Sequence, residues 1–192
     1  MKHSWFSVFL PLALVALLFS ACKKDDAPQT PAEMYVDEQC EGANGTVTLN
    51  LQGGGSWGSA CATGILTDLS SFPGIPFPYT LSIIGYSAET LLEEEGIIET
   101  LVINASFTAL VTGDILNVQQ IVFTRFNIDD VNSGGTPDLS QTYAGGSASG
   151  TNISITNINN NRIQGTYSFL GINVETEEEL QLSGTFDVEV EL

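Results

Sequence analysis

Histidine and lysine are nearly missing from this chain. Its one histidine is His3, and no lysine follows Lys24. A Ser-His-Asp or Cys-His pair, a histidine-ligated metal and a Schiff base each need an imidazole or a free amine, so none has its side chains in the body of the protein. Only carboxylate chemistry of the two-acid glycosidase kind is left open, and no catalytic residue is assigned. Positive charge is scarce throughout. Past Asp26 the bases are Arg125 and Arg162 alone, against 21 acids, a formal charge of −19. Such a surface repels phosphate, which excludes nucleic acid as a partner and disfavours anionic lipid headgroups.

Long apolar runs are also lacking. The longest, Phe6 to Phe19, is broken by Ser7 and Pro11 and follows a short basic start at Lys2 and His3. It is too short to span a bilayer and has the flanks of a secretory signal, with the small residues Ser20 and Ala21 just before Cys22. A cysteine at that junction looks like a bacterial lipobox, with Phe19 where leucine is usual. Residues 1–21 are then a signal that is removed, and Cys22 carries lipid. Each buried methylene contributes about 0.8 kcal/mol, so two or three acyl chains hold a protein on a bilayer stably. Lys24, Asp25 and Asp26 resemble the Lys-acidic-acidic tag of surface-exposed lipoproteins of the Bacteroidota. That tag favours the outer membrane with the protein facing the cell exterior, over the periplasmic face. Residues 22–40, polar and bearing Pro28 and Pro31, read as anchor and flexible tether, and residues 41–192 as a single domain. Cys40 and Cys61 are expected as a disulfide outside the cytoplasm, contributing about 3 kcal/mol; two buried free thiols are the alternative.

What the domain does contain is alternation of period two. Val47, Leu49 and Leu51 alternate with Thr46, Thr48 and Asn50, and a glycine turn leads to Trp57 and a strand of small residues through Cys61. Tyr79–Tyr86, Ile97–Leu110 and Gln120–Phe126 are β-rich, the last with Ile121, Phe123 and Arg125 on one face. Ile153 and Ile155 face one way, as do Ile163, Gly165, Tyr167 and Phe169. Leu180, Leu182, Gly184, Phe186, Val188 and Val190 form one side of a long last strand whose other side is studded with acids, a pattern suited to guarding a sheet edge. The pattern predicts an all-β domain, an antiparallel sandwich or barrel of about seven to nine strands. At most one short helix is expected, near residues 87–95.

A family resemblance rests on these segments. The lipobox with its tag, Gly54-Gly55-Ser56-Trp57, Ser149-Gly150-Thr151 leading into Ile153-Ser154-Ile155-Thr156, Ile163 to Phe169, and Leu182 to Asp187 together resemble an uncharacterised family of small all-β lipoproteins of the Bacteroidota. The chain departs from it in having Gly54 where the family has asparagine and Tyr167 where phenylalanine is usual. The resemblance implies an all-β fold and a surface lipoprotein, and supplies no activity.

Three groups of residues are candidates for a site. Trp57 beside its glycine turn suits a stacking platform or, alternatively, a plug in the core. Phe72, Phe77 and Tyr79 share a loop with Pro73, Pro76 and Pro78, which rigidify it and keep it out of a central strand. Folded over the core such a loop is a lid; exposed, it is an apolar patch for a glycan or a surface-protein partner. Asp129, Asp130, Asn132 and Asp138 gather oxygen ligands of the kind calcium uses, without the spacing of a calcium loop; no other cofactor is implied. The expected function is a non-catalytic, membrane-anchored lipoprotein that binds a glycan or protein partner through loops at one end of the domain. The alternative is a carboxylate-dependent glycoside hydrolase or lyase, which needs two facing carboxylates about 5–10 Å apart in a cleft.

Overall fold

The alternating pattern is satisfied by curling the strands around a common interior, so that every second side chain points inward. The computed structural model describes residues 31–53, 55–87, 96–115, 117–134, 138–146 and 150–191. A helix α1 (Pro31–Cys40) precedes β1 (Gly45–Leu51), β2 (Gly55–Asp68), β3 (Tyr79–Ser87), β4 (Ile97–Phe107), β5 (Gly113–Ile115) and β6 (Asn117–Asn127). A short helix α2 (Ile128–Asn132) leads on to β7 (Thr142–Gly146), β8 (Asn152–Asn159), β9 (Arg162–Asn173) and β10 (Glu179–Glu191).

The sheet closes into a barrel of eight antiparallel positions, running β1, β2, β3, β4, β6, β7, β9, β10 and back to β1. The other two strands extend this ring. β7 meets β9 at Tyr143 and Ala144, while β8, which follows it in sequence, pairs with β9 from Arg162 to Ser168. β5, just ahead of β6, pairs with β8. Two wall positions are therefore each made of two consecutive strands, β5 with β6 and β7 with β8. Where β1 begins, the end of β10 reaches past it to pair directly with β2 at Gly64 and Ile65.

The middle of the barrel is filled. Large rings occupy space that glycines on neighbouring strands leave free: Gly165 lies opposite Phe186, and Gly184 opposite Tyr167. A Cβ on Gly184 would collide with the Thr48 carbonyl and the Tyr167 hydroxyl, and one on Gly165 with the Phe186 ring and the Ser154 carbonyl. The Tyr167 hydroxyl donates to the Thr48 carbonyl oxygen at 2.5 Å, tying β9 to β1 across β10. Leu49, Ile83, Leu101, Ile103, Ile121, Ile153 and Phe169 are fully buried around them. An eight-stranded barrel is just wide enough for its own side chains to fill, and here they do.

A second, smaller cluster lies outside the wall. Val36 of α1 packs with Ile98 and Ile128, flanked by Tyr35, Cys40, Tyr86 and Phe126. Tyr35 meets Tyr86 edge-on at 6.5 Å, and burial together with that neighbour pushes the Tyr86 hydroxyl above its ordinary pKa. The Cys40–Cys61 disulfide fixes the end of α1 to β2, with Cα atoms 5.3 Å apart.

Several expectations are corrected. The tether does not continue to residue 40, because its last ten residues are helix α1, docked on the barrel. Met34, Tyr35 and Val36 stand side by side with no regular repeat, so a helix with one narrow contact face leaves little sequence signal. Among the described residues two short helices occur rather than at most one, and residues 88–95 of the expected helix lie outside them. The last strand is not an edge. β10 is paired on both sides, by β9 and β1, and its acids simply face solvent. Closure of the ring decides between sandwich and barrel in favour of the barrel.

Candidate functional site

Strand direction gives the barrel two ends. At one, which we term the helix end, lie residues 52–53 between β1 and β2, α2, residues 138–141 and residues 174–178. At the other, the loop end, lie residues 69–78 and 108–112. Trp57 and Phe77 were candidates for one surface, yet they sit at opposite ends. About ten residues of β2 separate Trp57 from the loop, roughly 35 Å of extended chain.

At the loop end, β2 stops at Asp68, whose carboxylate accepts the Ser70 amide at 2.8 Å. Hydrogen bonds from the Ser70 side chain and backbone hold Asp68 below the ordinary carboxylate range. The Leu69 amide donates to the Pro78 carbonyl, closing the loop at its base, and Gly74 takes a left-handed φ of +86° at its tip. Three prolines cannot donate to a sheet, so the loop stands free of the wall. The result is exposure: Phe72 is 60% accessible, and Leu69, Ile75 and Phe77 are each above one third. Val111, on the neighbouring loop, is also 60% accessible. Tyr79 behaves differently; half-buried, it stacks on Phe107 with ring centroids 5.6 Å apart. Beneath Phe77 a slot of about 120 Å³ opens between β4 and β5, lined by Phe107, Val111, Ile115 and Ile155, with Asp114 among its few polar residues.

The helix end is knit together instead. Trp57 is buried and meets Phe123 edge-on at 5.9 Å, so it plugs the core. Its indole Nε1 finds no acceptor among the described residues. Glu99 and Arg125 are directly opposed in register on the inward face, and Arg125 Nε lies 3.7 Å from Glu99 Oε1. Arg125 also donates from its guanidinium to Gln141 Oε1 at 3.4 Å. Asn173, buried, gives its amide to the Ser140 carbonyl at 2.6 Å, and its Oδ1 accepts the amides of Glu175 and Thr176. Sequence reasoning missed the ion pair, although a signal existed. Glu99, Leu101 and Ile103 form one stripe and Ile121, Phe123 and Arg125 another. Antiparallel pairing of two such stripes sets the acid of one against the base of the other.

The four oxygen-bearing residues do not converge. Asp129 and Asp130 open α2, where Asn127 caps the Asp129 amide. Asp138 accepts the Ser140 amide at 2.9 Å, and that backbone bond, with the serine side chain, holds its carboxyl below the usual range. Among the described residues no three or more His, Cys, Asp or Glu side chains are grouped to hold a metal ion. Cys22 and the tag Lys24, Asp25 and Asp26 lie outside the described residues. An open groove of about 830 Å³ on the outer wall, where β10 meets β2, carries Glu41 and Glu189 with Asn44, Thr63 and Asn161. Glu189 is engaged there, accepting from Asn161 Nδ2 at 2.6 Å.

Fold and ends together define an up-and-down eight-stranded barrel with a solid interior, one knit end and one apolar end. No protein-family model, curated protein or solved structure matches the chain.

Proposed function

We propose that the protein is a non-catalytic lipoprotein of the outer membrane, anchored through acylated Cys22, that faces the cell exterior and binds a glycan or protein partner through its loop end. The observation that carries this is the separation of the two ends. Helix α1, through which the chain comes from Cys22, docks over Ile98 and Ile128 at the helix end. Phe72, Ile75, Phe77 and Val111 project at the opposite end, away from that attachment. A filled interior supports the same reading, because recognition then has to use an end or the outer wall rather than an internal cavity. The lipobox, the Lys24-Asp25-Asp26 tag and the resemblance to Bacteroidota lipoproteins support the address.

Two measurements test this. Metabolic labelling with a clickable fatty acid is expected to mark the protein and to be lost in Cys22→Ala. A glycan array and a cell-surface cross-linking screen are expected to give a signal that Phe72→Ser/Phe77→Ser abolishes. Blank screens, or a signal indifferent to that double substitution, remove the loop-end reading. The hydrolase alternative has a foothold in the groove bearing Glu41 and Glu189. It predicts polysaccharide turnover lost in Glu189→Gln.

A further inference from the structure

We infer that the Cys40–Cys61 disulfide routes tension from the amino-terminal attachment into the middle of β2, bypassing β1, so that the barrel is loaded in shear and its closing strand is not peeled. The physiological source of tension rests on the anchored reading above; the mechanics rest on topology alone.

Three features of the fold carry the inference. First, the segment between the two cysteines contains the whole of β1, which closes the ring between β10 and β2. With the bond in place, a pull arriving through α1 passes from Cys40 to Cys61 and leaves residues 41–60 slack. Second, Cys61 is where β2 changes partners. It begins the run of eight register pairs with β3, from Cys61↔Tyr86 to Asp68↔Tyr79. The site is braced: the Cys61 amide donates to Ser59 Oγ at 2.9 Å, and the Ser59 hydroxyl bonds to the Tyr86 carbonyl. Third, α1 docks at the helix end while β10 ends toward the loop end beside Gly64 and Ile65, so a pull between the two termini draws Cys61 along β2 and away from Asp68. All eight pairs then resist together. The far terminus of the sheet, β10, pairs with β2 in parallel at Gly64 and Ile65, so an opposing pull on that end also runs along the strands.

Without the bond the same pull reaches β1 at Gly45, its first residue. β1 runs from Gly45 toward the helix end, the direction from which tension comes. The chain would double back on itself and β1 would come away one register pair at a time, opening the ring between β10 and β2.

Force spectroscopy tests this on the processed chain from residue 22, held through that residue and the carboxyl terminus. With α1 straightened ahead of Cys40 in either state, the barrel of the oxidised protein is expected to yield in one step. After reduction in place with a dithiol, or in Cys40→Ala/Cys61→Ala, an additional step at lower force is expected, releasing about 50 Å of chain as residues 41–54 straighten. A reduced molecule that still yields in one step at unchanged force overturns the inference. A second comparison separates routing from stability. Oxidised Leu101→Ala, weakened in the core, is expected to keep the single step; an early step there would equally overturn it. Loss of fatty-acid labelling would remove the anchor and leave this result standing, so the two failures are distinguishable.

Discussion

The helix end and the loop end are made by the same alternating strands, and they differ in where their polar groups and rings point. At the helix end an acid, a base and an indole turn inward, where Glu99 faces Arg125 and Trp57 packs on Phe123. Asn173 spends both halves of its amide on neighbouring backbone. At the loop end the direction is reversed: Phe72 and Val111 point to solvent, and prolines hold the backbone around Phe72 away from the wall. An end that buries its polar groups must satisfy them and so becomes rigid and specific in shape. An end that exposes apolar groups gains nothing for its own stability and holds surface ready for a contact. The difference assigns stability to the helix end and, on the function proposed above, recognition to the loop end.

Truncating a ring at each end gives the largest contrast. Trp57→Ala removes a buried indole and leaves a cavity, with an expected loss of about 3–5 kcal/mol in urea unfolding. Phe72→Ala is expected to change stability by no more than about 0.5 kcal/mol. Comparable losses would break the comparison. Next comes the ion pair. Arg125→Met takes the guanidinium away from Glu99 in the barrel mouth, for an expected loss of about 2–3 kcal/mol, less than a fully buried pair because Arg125 is 24% exposed. Adding Glu99→Leu is expected to restore much of that loss, and a double-mutant cycle measures the coupling. Additive losses would mean that the two side chains act independently.

Much of this architecture was legible beforehand, and the gaps have physical causes. The inward faces of β1, β9 and β10 follow from period-two alternation because each has one buried and one solvated side. The prolines at 73, 76 and 78 marked the apolar loop as lying outside the sheet. Barrel closure was not legible, since a strand carries the same alternation whether its neighbour is β9 alone or β9 and β1 together. The same ambiguity made the acid face of β10 look like an edge. Trp57 and Phe77 were grouped by residue type, and only the register of β2 puts them at opposite ends. Helix α1 was hidden because its contact, Val36 on Ile98 and Ile128, is made with residues more than fifty positions away.

The Tyr167 tie between β9 and β1 offers a pH test. Burial raises the Tyr167 hydroxyl far above the ordinary tyrosine value. A group held protonated in the fold contributes its full stability below the unfolded pKa of about 10, and loses it as pH rises beyond that. Alkaline unfolding is therefore expected to be coupled to one tyrosine that ionises only as the barrel opens. Tyr167→Phe is expected to cost about 1 kcal/mol at neutral pH, the net value of the bond to Thr48, and to remove that alkaline coupling. Tyrosinate absorbance followed beside circular dichroism measures both. Full ionisation of every tyrosine while the barrel persists would contradict the packing.

The smallest effect is also the most symmetrical, because each end carries one aspartate in the same local turn. Asp68 caps the Ser70 amide at the loop end and Asp138 caps the Ser140 amide at the helix end, and both carboxyls are lowered by those bonds. A lowered carboxylate contributes above its unfolded value and loses that contribution as pH falls through the folded one. Side-chain carboxyl shifts in an NMR titration are thus expected to move below the usual aspartate range at both sites, with the Ser70 and Ser140 amides moving in step. Both side chains are solvent-facing, so the serine amides are expected to sense acid without the barrel core responding. If the contrast between the ends is sound, released caps should then affect them unequally. Relative to the intrinsic exchange rate at each pH, acid should lower amide protection within 69–78, where little besides the Leu69–Pro78 backbone bond closes the loop, and leave Asn173 and its partners protected. Equal loosening of both segments would show that the helix end owes its order to a surface turn and not to its buried polar groups.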